Sequence, residues 1–92
     1  MPRFVEDRDT WIKGVVQSPD LPHLAARVGV YLAMEMDPGK REATASIDEI
    51  AAAVQGSPRG VIAALSQLEE FGYLGIARKR NRGNRYWMLR GV

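Results

Sequence analysis

Two helix starts lie close together in the middle of this chain. Ser46–Glu49 has the spacing of a capping box, in which each of the two side chains bonds to the other residue's backbone amide. Ser57-Pro58 pairs a capping hydroxyl with a proline, which costs no hydrogen bond in the first turn of a helix. Only Gln55-Gly56 separates the helices that these signals begin, predicted at 46–54 and 57–71. The chain must therefore fold as two short helices joined by a tight turn.

The N-terminal side of this pair predicts more helix. Residues 20–36 place apolar side chains at helical spacing, and Asp20 can cap that helix. Residues 1–19 are less regular and are predicted to be an N-terminal extension with a possible short helix, begun by Asp9 or Thr10. Residues 37–45 are predicted to be a polar loop, because Asp-Pro-Gly stops the preceding helix.

The C-terminal side changes from helical to strand-like composition. The helix at 57–71 is predicted to end at Gly72, which suits a left-handed backbone. Residues 73–89 predict a β-hairpin around a Gly/Asn tip, with Tyr86 towards the core and Trp87 on the other face. The buried stripe of the preceding helix is predicted to contain Val61, Ile62, Leu65 and Leu68. The predicted fold class is mainly α with a small antiparallel β-hairpin.

The charge of the chain is uneven. Residues 71–92 carry six arginines and lysines and no acidic residue, whereas all 11 acidic residues of the 92-residue chain precede them. Such a basic segment favours an anionic partner, although a solvated loop would show the same composition. The chain has no cysteine, which excludes disulfides and thiolate metal sites.

The order helix, helix, tight turn, helix and hairpin resembles the winged helix-turn-helix family. The resemblance is carried by SIDEIAAAVQGSPRGVIAALSQLEEFGYLGIARKRNRGNRYWML, Ser46–Leu89. This segment is similar to MarR-like regulators and to the N-terminal domains of plasmid replication initiators. The resemblance implies a winged helix-turn-helix domain over 20–92, with 57–71 as its recognition helix and 73–89 as its wing.

The resemblance also implies how such a domain would bind DNA. The recognition helix would enter the major groove and read base edges. Arg59 would suit a guanine and Gln67 an adenine. The residues implied on this helix are Ser57, Arg59, Gly60, Ala63 and Gln67. The wing residues implied at the phosphate backbone are Arg78, Lys79, Arg80, Asn81, Arg82, Asn84 and Arg85.

The sequence thus predicts a sequence-specific DNA-binding protein, either a transcriptional regulator or a mobile-element control factor. The alternatives are a winged-helix adaptor for protein partners and a DNA-binding accessory or replication-initiation factor. No catalytic motif, cofactor site, metal site, effector site or membrane segment is evident, and a cytoplasmic, nucleoid-associated protein is expected. A homodimer is expected, because a single domain with few base contacts gains from a two-fold symmetric site, and the N-terminal apolar residues exceed what the core needs. This dimer or partner surface is predicted to contain Phe4, Trp11, Ile12, Val15 and Val16.

Overall fold

A computed structural model describes residues 3–79 and 83–89 of the chain. Within them the chain is mainly helical with a small antiparallel sheet, which confirms the predicted fold class and is compatible with a winged-helix layout. The elements in chain order are α1 Phe4–Gln17, α2 His23–Met34, β1 Ala43–Ala45, α3 Ile47–Val54, α4 Pro58–Glu70, β2 Leu74–Ala77 and β3 Asn84–Met88.

The sheet has the order β1-β3-β2, and both pairings are antiparallel. The predicted hairpin is confirmed as β2 and β3, with Ile76 opposite Tyr86. The prediction of a polar loop at 37–45 is wrong at its end, because β1 pairs there with β3 and places Ala43 on the other side of Tyr86. Gly83 permits this approach, since a Cβ at that position would lie 2.9 Å from the carbonyl carbon of Ala45.

Helix α3 begins as the sequence predicts. The Glu49 amide donates to Ser46 Oγ at 3.1 Å, and the Ser46 amide donates to Glu49 Oε1 at 2.7 Å, so both bonds of the capping box form. This local arrangement fixes the entrance to the helix pair.

Helix α2 begins later than predicted. Its first residue is His23, and the capping position holds Pro22, which makes no side-chain cap; the predicted Asp20 cap is therefore wrong. Leu21 is nevertheless buried in the core. The apolar contacts of this segment, rather than a polar cap, hold the chain where the helix starts.

Helix α1 is longer than predicted, since it begins at Phe4 and passes through the expected cap residues. Phe4, Trp11 and Val15 have exposed fractions of only 3%, 5% and 0% and belong to the same core as the other elements. They are therefore interior residues of one chain, which corrects the prediction that they form a dimer or partner surface. Ile12 is partly buried against the core, and Val16 is 60% exposed.

Trp11 connects α1 to the start of the hairpin. Its Nε1 donates to the carbonyl oxygen of Tyr73 at 2.8 Å, and the two rings meet edge to face with their centroids 6.4 Å apart. Its ring also lies against Gly29 of α2, where an added Cβ would be 3.3 Å away. The N-terminal helix thus anchors the elements that form the wing.

Tyr86 is fully buried, as the sequence predicts, and Met88 packs partly buried against the same core. Burial raises the pKa of the Tyr86 phenol, while a hydrogen bond from Asn84 and the charge of Arg78 oppose that shift. Trp87 lies on the other face of the sheet, across Gly75, where any side chain would collide with the indole. The central strand β3 therefore supplies the core on one face and an aromatic cover on the other.

Candidate nucleic-acid interface

Helices α3 and α4 are joined by the three residues from Gln55 to Ser57. Gln55 adopts the left-handed conformation with φ 57°, and the Gly56 amide closes the turn on the carbonyl oxygen of Ala51 at 2.9 Å. The sequence correctly predicts the break here, but the left-handed residue is the glutamine and not the glycine. The turn places the first residues of α4 at the surface.

The start of α4 is capped as predicted. Ser57 Oγ accepts from the Gly60 amide at 3.0 Å, and Pro58 occupies the first turn. Ser57 is exposed, but its hydroxyl is already engaged with the helix backbone. Its first role is therefore to hold the helix terminus.

One face of α4 is open to solvent. Arg59, Ile62, Ala63 and Ser66 are all exposed and lie three or four residues apart, so they share that face. Arg59 has no ion-pair partner among the described residues. Gln67 is only partly exposed, at the border of the face.

The sequence predicts that Ile62 is buried in the core, but its side chain is exposed in the structure. Its exposed fraction is 53%, whereas the adjacent Val61 is fully buried. Periodicity alone does not separate two neighbouring apolar residues at the edge of a helical stripe. The packing of α2 and α3 against α4 determines which of the two side chains is buried. The sequence therefore contains no signal that distinguishes them.

Gly60 is turned towards the protein rather than towards a ligand. A Cβ at this position would lie 3.1 Å from Leu24 Cδ2 on α2 and 3.1 Å from Ser57 Oγ. The missing side chain therefore allows α4 to pack closely on α2. Gly60, which the resemblance places among the DNA-binding residues, therefore serves the packing of the two helices in this structure.

The wing holds two of its arginines in ion pairs. Arg78 Nη2 donates to Glu69 Oε1 at 3.1 Å and Nη1 donates to Oε2 at 3.3 Å, which joins β2 to the end of α4. This hydrogen bonding raises the pKa of Arg78. Arg85 Nη1 lies 3.2 Å from Glu42 Oε2 beside β1. Exposed pairs of this kind contribute about 0–1 kcal/mol to stability.

Asn84 was predicted to contact the phosphate backbone, and the structure uses its amide inside the hairpin. Its Oδ1 accepts from the Lys79 amide at 3.0 Å, and its Nδ2 donates to Tyr86 Oη at 3.1 Å. Lys79 itself is exposed. The predicted wing residues Arg80, Asn81 and Arg82 lie outside the described residues.

An open cleft of about 270 Å³ separates α4 from the wing. It is lined by Ile47, Ile62, Leu65, Arg78 and Asn84. Its walls are mostly apolar, and the Arg78–Glu69 pair connects the two sides. The exposed face of α4 and the wing thus border one continuous surface.

No protein-family model matches this chain, and no curated protein matches it either. The layout therefore rests on the order of the elements and on the β1-β3-β2 sheet. Within residues 3–79 and 83–89, no three histidine or acidic side chains are grouped so that they could hold a metal ion. In the same part of the chain, no helix combines the length and apolar character needed to cross a membrane.

Proposed function

We propose that this chain binds double-stranded DNA, with α4 in the major groove and the β2–β3 hairpin on the phosphate backbone. The observation that carries the proposal is the exposed face of α4. Arg59 lies there in the first turn, with the small residues Ala63 and Ser66 beside it. A helix with short side chains enters the major groove closely, and an arginine near its N-terminus is placed to bond with a guanine edge.

The charges on this side of the molecule support a polyanionic partner. Arg59 and Lys79 are exposed and have no ion-pair partner among the described residues. The sequence adds Arg80 and Arg82 between the two strands of the hairpin. Arg78 and Arg85 are held in ion pairs, so fewer arginines are free for DNA than the sequence alone suggests.

The role proposed for such binding is sequence-specific control, as a transcriptional regulator or a mobile-element control factor similar to MarR-like regulators. The protein would act by occupying its site, without catalysis. One copy offers few groups that can read bases, so a homodimer on a two-fold symmetric site would double those contacts. The adaptor function remains the alternative, with an acidic protein in place of DNA.

Binding to a labelled DNA duplex is expected to weaken steeply with salt. Each phosphate contact contributes about 0.9 to the slope of log K against log salt concentration. Arg59 and Lys79, together with the Arg80 and Arg82 that the sequence places between the two strands, predict a slope of about −3 to −4 per chain. Fluorescence anisotropy from low to physiological salt measures this slope. Absence of binding at low salt would overturn the DNA proposal and leave the adaptor function.

Removal of the Glu69 carboxylate is expected to make the slope of log K against log salt concentration steeper. In Glu69→Gln the Arg78 guanidinium loses its charged partner and becomes free to take one more phosphate, which adds about 0.9 to the slope. Glu70→Gln is the matched control, because it removes the same charge from the next residue, which has no ion-pair partner among the described residues. Equal slopes in the two variants would show that Arg78 does not gain a phosphate contact in this way.

A further inference from the structure

We infer that Ile62 is a specificity-determining residue that reads the methyl group of a thymine in the major groove. The inference rests on the proposed DNA binding and adds to it the chemistry of the site that is read. Arg59 supplies hydrogen bonds on the exposed face of α4, and Ile62 supplies the apolar contact one turn later. The preferred site would then combine a guanine with a nearby thymine.

The first argument is the burial pattern of α4. Val61, Leu65 and Leu68 have exposed fractions of 0%, 3% and 0% and complete the contact with the core. Ile62 is 53% exposed, so most of its surface is not used for folding. Among the described residues, it is the large apolar side chain that α4 exposes along its length from Pro58 to Glu70.

The second argument is the position of Ile62 relative to the groups proposed to bind DNA. It lies three residues after Arg59 on the same helical face, and it also lines the cleft that faces the wing. A major groove occupied by α4 would bring base edges to this face, while the wing holds the backbone beside it. Ile62 therefore lies between the proposed base contact and the proposed phosphate contacts.

The third argument is chemical. Isoleucine has no hydrogen-bonding group, and the thymine C5 methyl is the apolar group that base pairs present in the major groove. A β-branched side chain also has few rotamers, so it loses little freedom on contact. Ala63 lies on the same face but reaches less far, which makes Ile62 the better candidate for this contact.

The test replaces thymine by deoxyuridine, which removes the methyl group and leaves every hydrogen-bonding group in place. A preferred duplex is first selected with the full chain from a randomised pool, and each thymine in it is then exchanged singly. Wild-type protein is expected to bind one of these duplexes about fourfold more weakly, the effect of losing one buried methyl group. Ile62→Ala is expected to bind the thymine and uracil forms equally.

Val5→Ala is the matched control, because it shortens an apolar residue on α1 whose exposed fraction of 55% is close to that of Ile62. This variant is expected to keep the full sensitivity to the methyl group. Ile62→Val retains part of the side chain and is expected to show an intermediate effect, so the test does not depend on the alanine variant alone. Thermal unfolding verifies that each variant is folded.

The outcomes separate this inference from the proposed function. A protein that binds DNA but is insensitive to every exchange, or an Ile62→Ala variant with wild-type sensitivity, would overturn the role of Ile62 while DNA binding stands. Binding to DNA without any sequence preference would also overturn the role of Ile62. A protein that binds no duplex at low salt would overturn the proposed function itself.

Discussion

Val15→Asp is expected to unfold this protein. Val15 is fully buried on α1, within the core that also contains Phe4 and Trp11. The substitution removes an apolar side chain and places a carboxylate in a region without a polar partner, which together cost about 4 kcal/mol or more. A domain this small lies near the lower end of the roughly 5–15 kcal/mol typical of native proteins, so this loss removes most of its stability. Circular dichroism during thermal and urea unfolding measures the effect.

Val16→Asp provides the matched control at the next position. Its side chain is 60% exposed, so the same new charge is expected to change stability by less than about 0.5 kcal/mol. If α1 were instead an apolar dimer surface, Val15→Asp would give a folded monomer and wild-type protein a dimer. Size-exclusion chromatography together with circular dichroism distinguishes a folded monomer from an unfolded chain.

The features predicted correctly from the sequence depend on residues close together in the chain. The capping box at Ser46, the cap at Ser57 and the left-handed Gly72 each depend on neighbours within one helical turn. The hairpin follows from the composition of two short segments and the turn between them. Because these signals are local, the sequence was sufficient to predict the helix pair and the hairpin.

The features that the sequence did not predict depend on distant partners. Strand β1 is three residues long, and Ala43 acquires its pairing only from Tyr86. Trp11 is buried in the common core and donates a hydrogen bond to Tyr73, 62 residues later. An apolar residue on an amphipathic helix has the same pattern whether it packs against its own chain or against another. The choice between core and dimer surface therefore required the tertiary structure.

The residues of the candidate site also divide into those that local sequence predicts and those that distant contacts determine. The position of Arg59 follows from the predicted helix start, and the structure exposes it. The contacts of Gly60 with Leu24 and the internal bonds of Asn84 depend on neighbours that no local pattern specifies. Ile62 was assigned to the wrong side of the helix for the same reason. The sequence predicts which elements form the candidate interface, and tertiary packing determines which of their side chains face outwards.

Arg59→Ala is expected to weaken binding to the selected duplex by about 5- to 150-fold, because a bidentate arginine–guanine contact is worth roughly 1–3 kcal/mol. It is also expected to relax the preference at one base pair, which a bound phosphate would not do. Arg59 is exposed and has no ion-pair partner among the described residues, so the variant should keep its stability. Anisotropy titrations with the selected duplex and its single-base variants measure both effects.

Arg27→Ala is the matched control for this loss. Arg27 is an exposed arginine on α2 beside Val16 and Ala53, and it also has no ion-pair partner among the described residues. Both variants lose one positive charge, so a general electrostatic effect would weaken them equally. A loss confined to Arg59→Ala, with altered base preference, supports major-groove readout by α4. Equal losses in the two variants would mean that α4 does not read bases. Binding of an acidic protein that is unchanged by Arg59→Ala would favour the adaptor function.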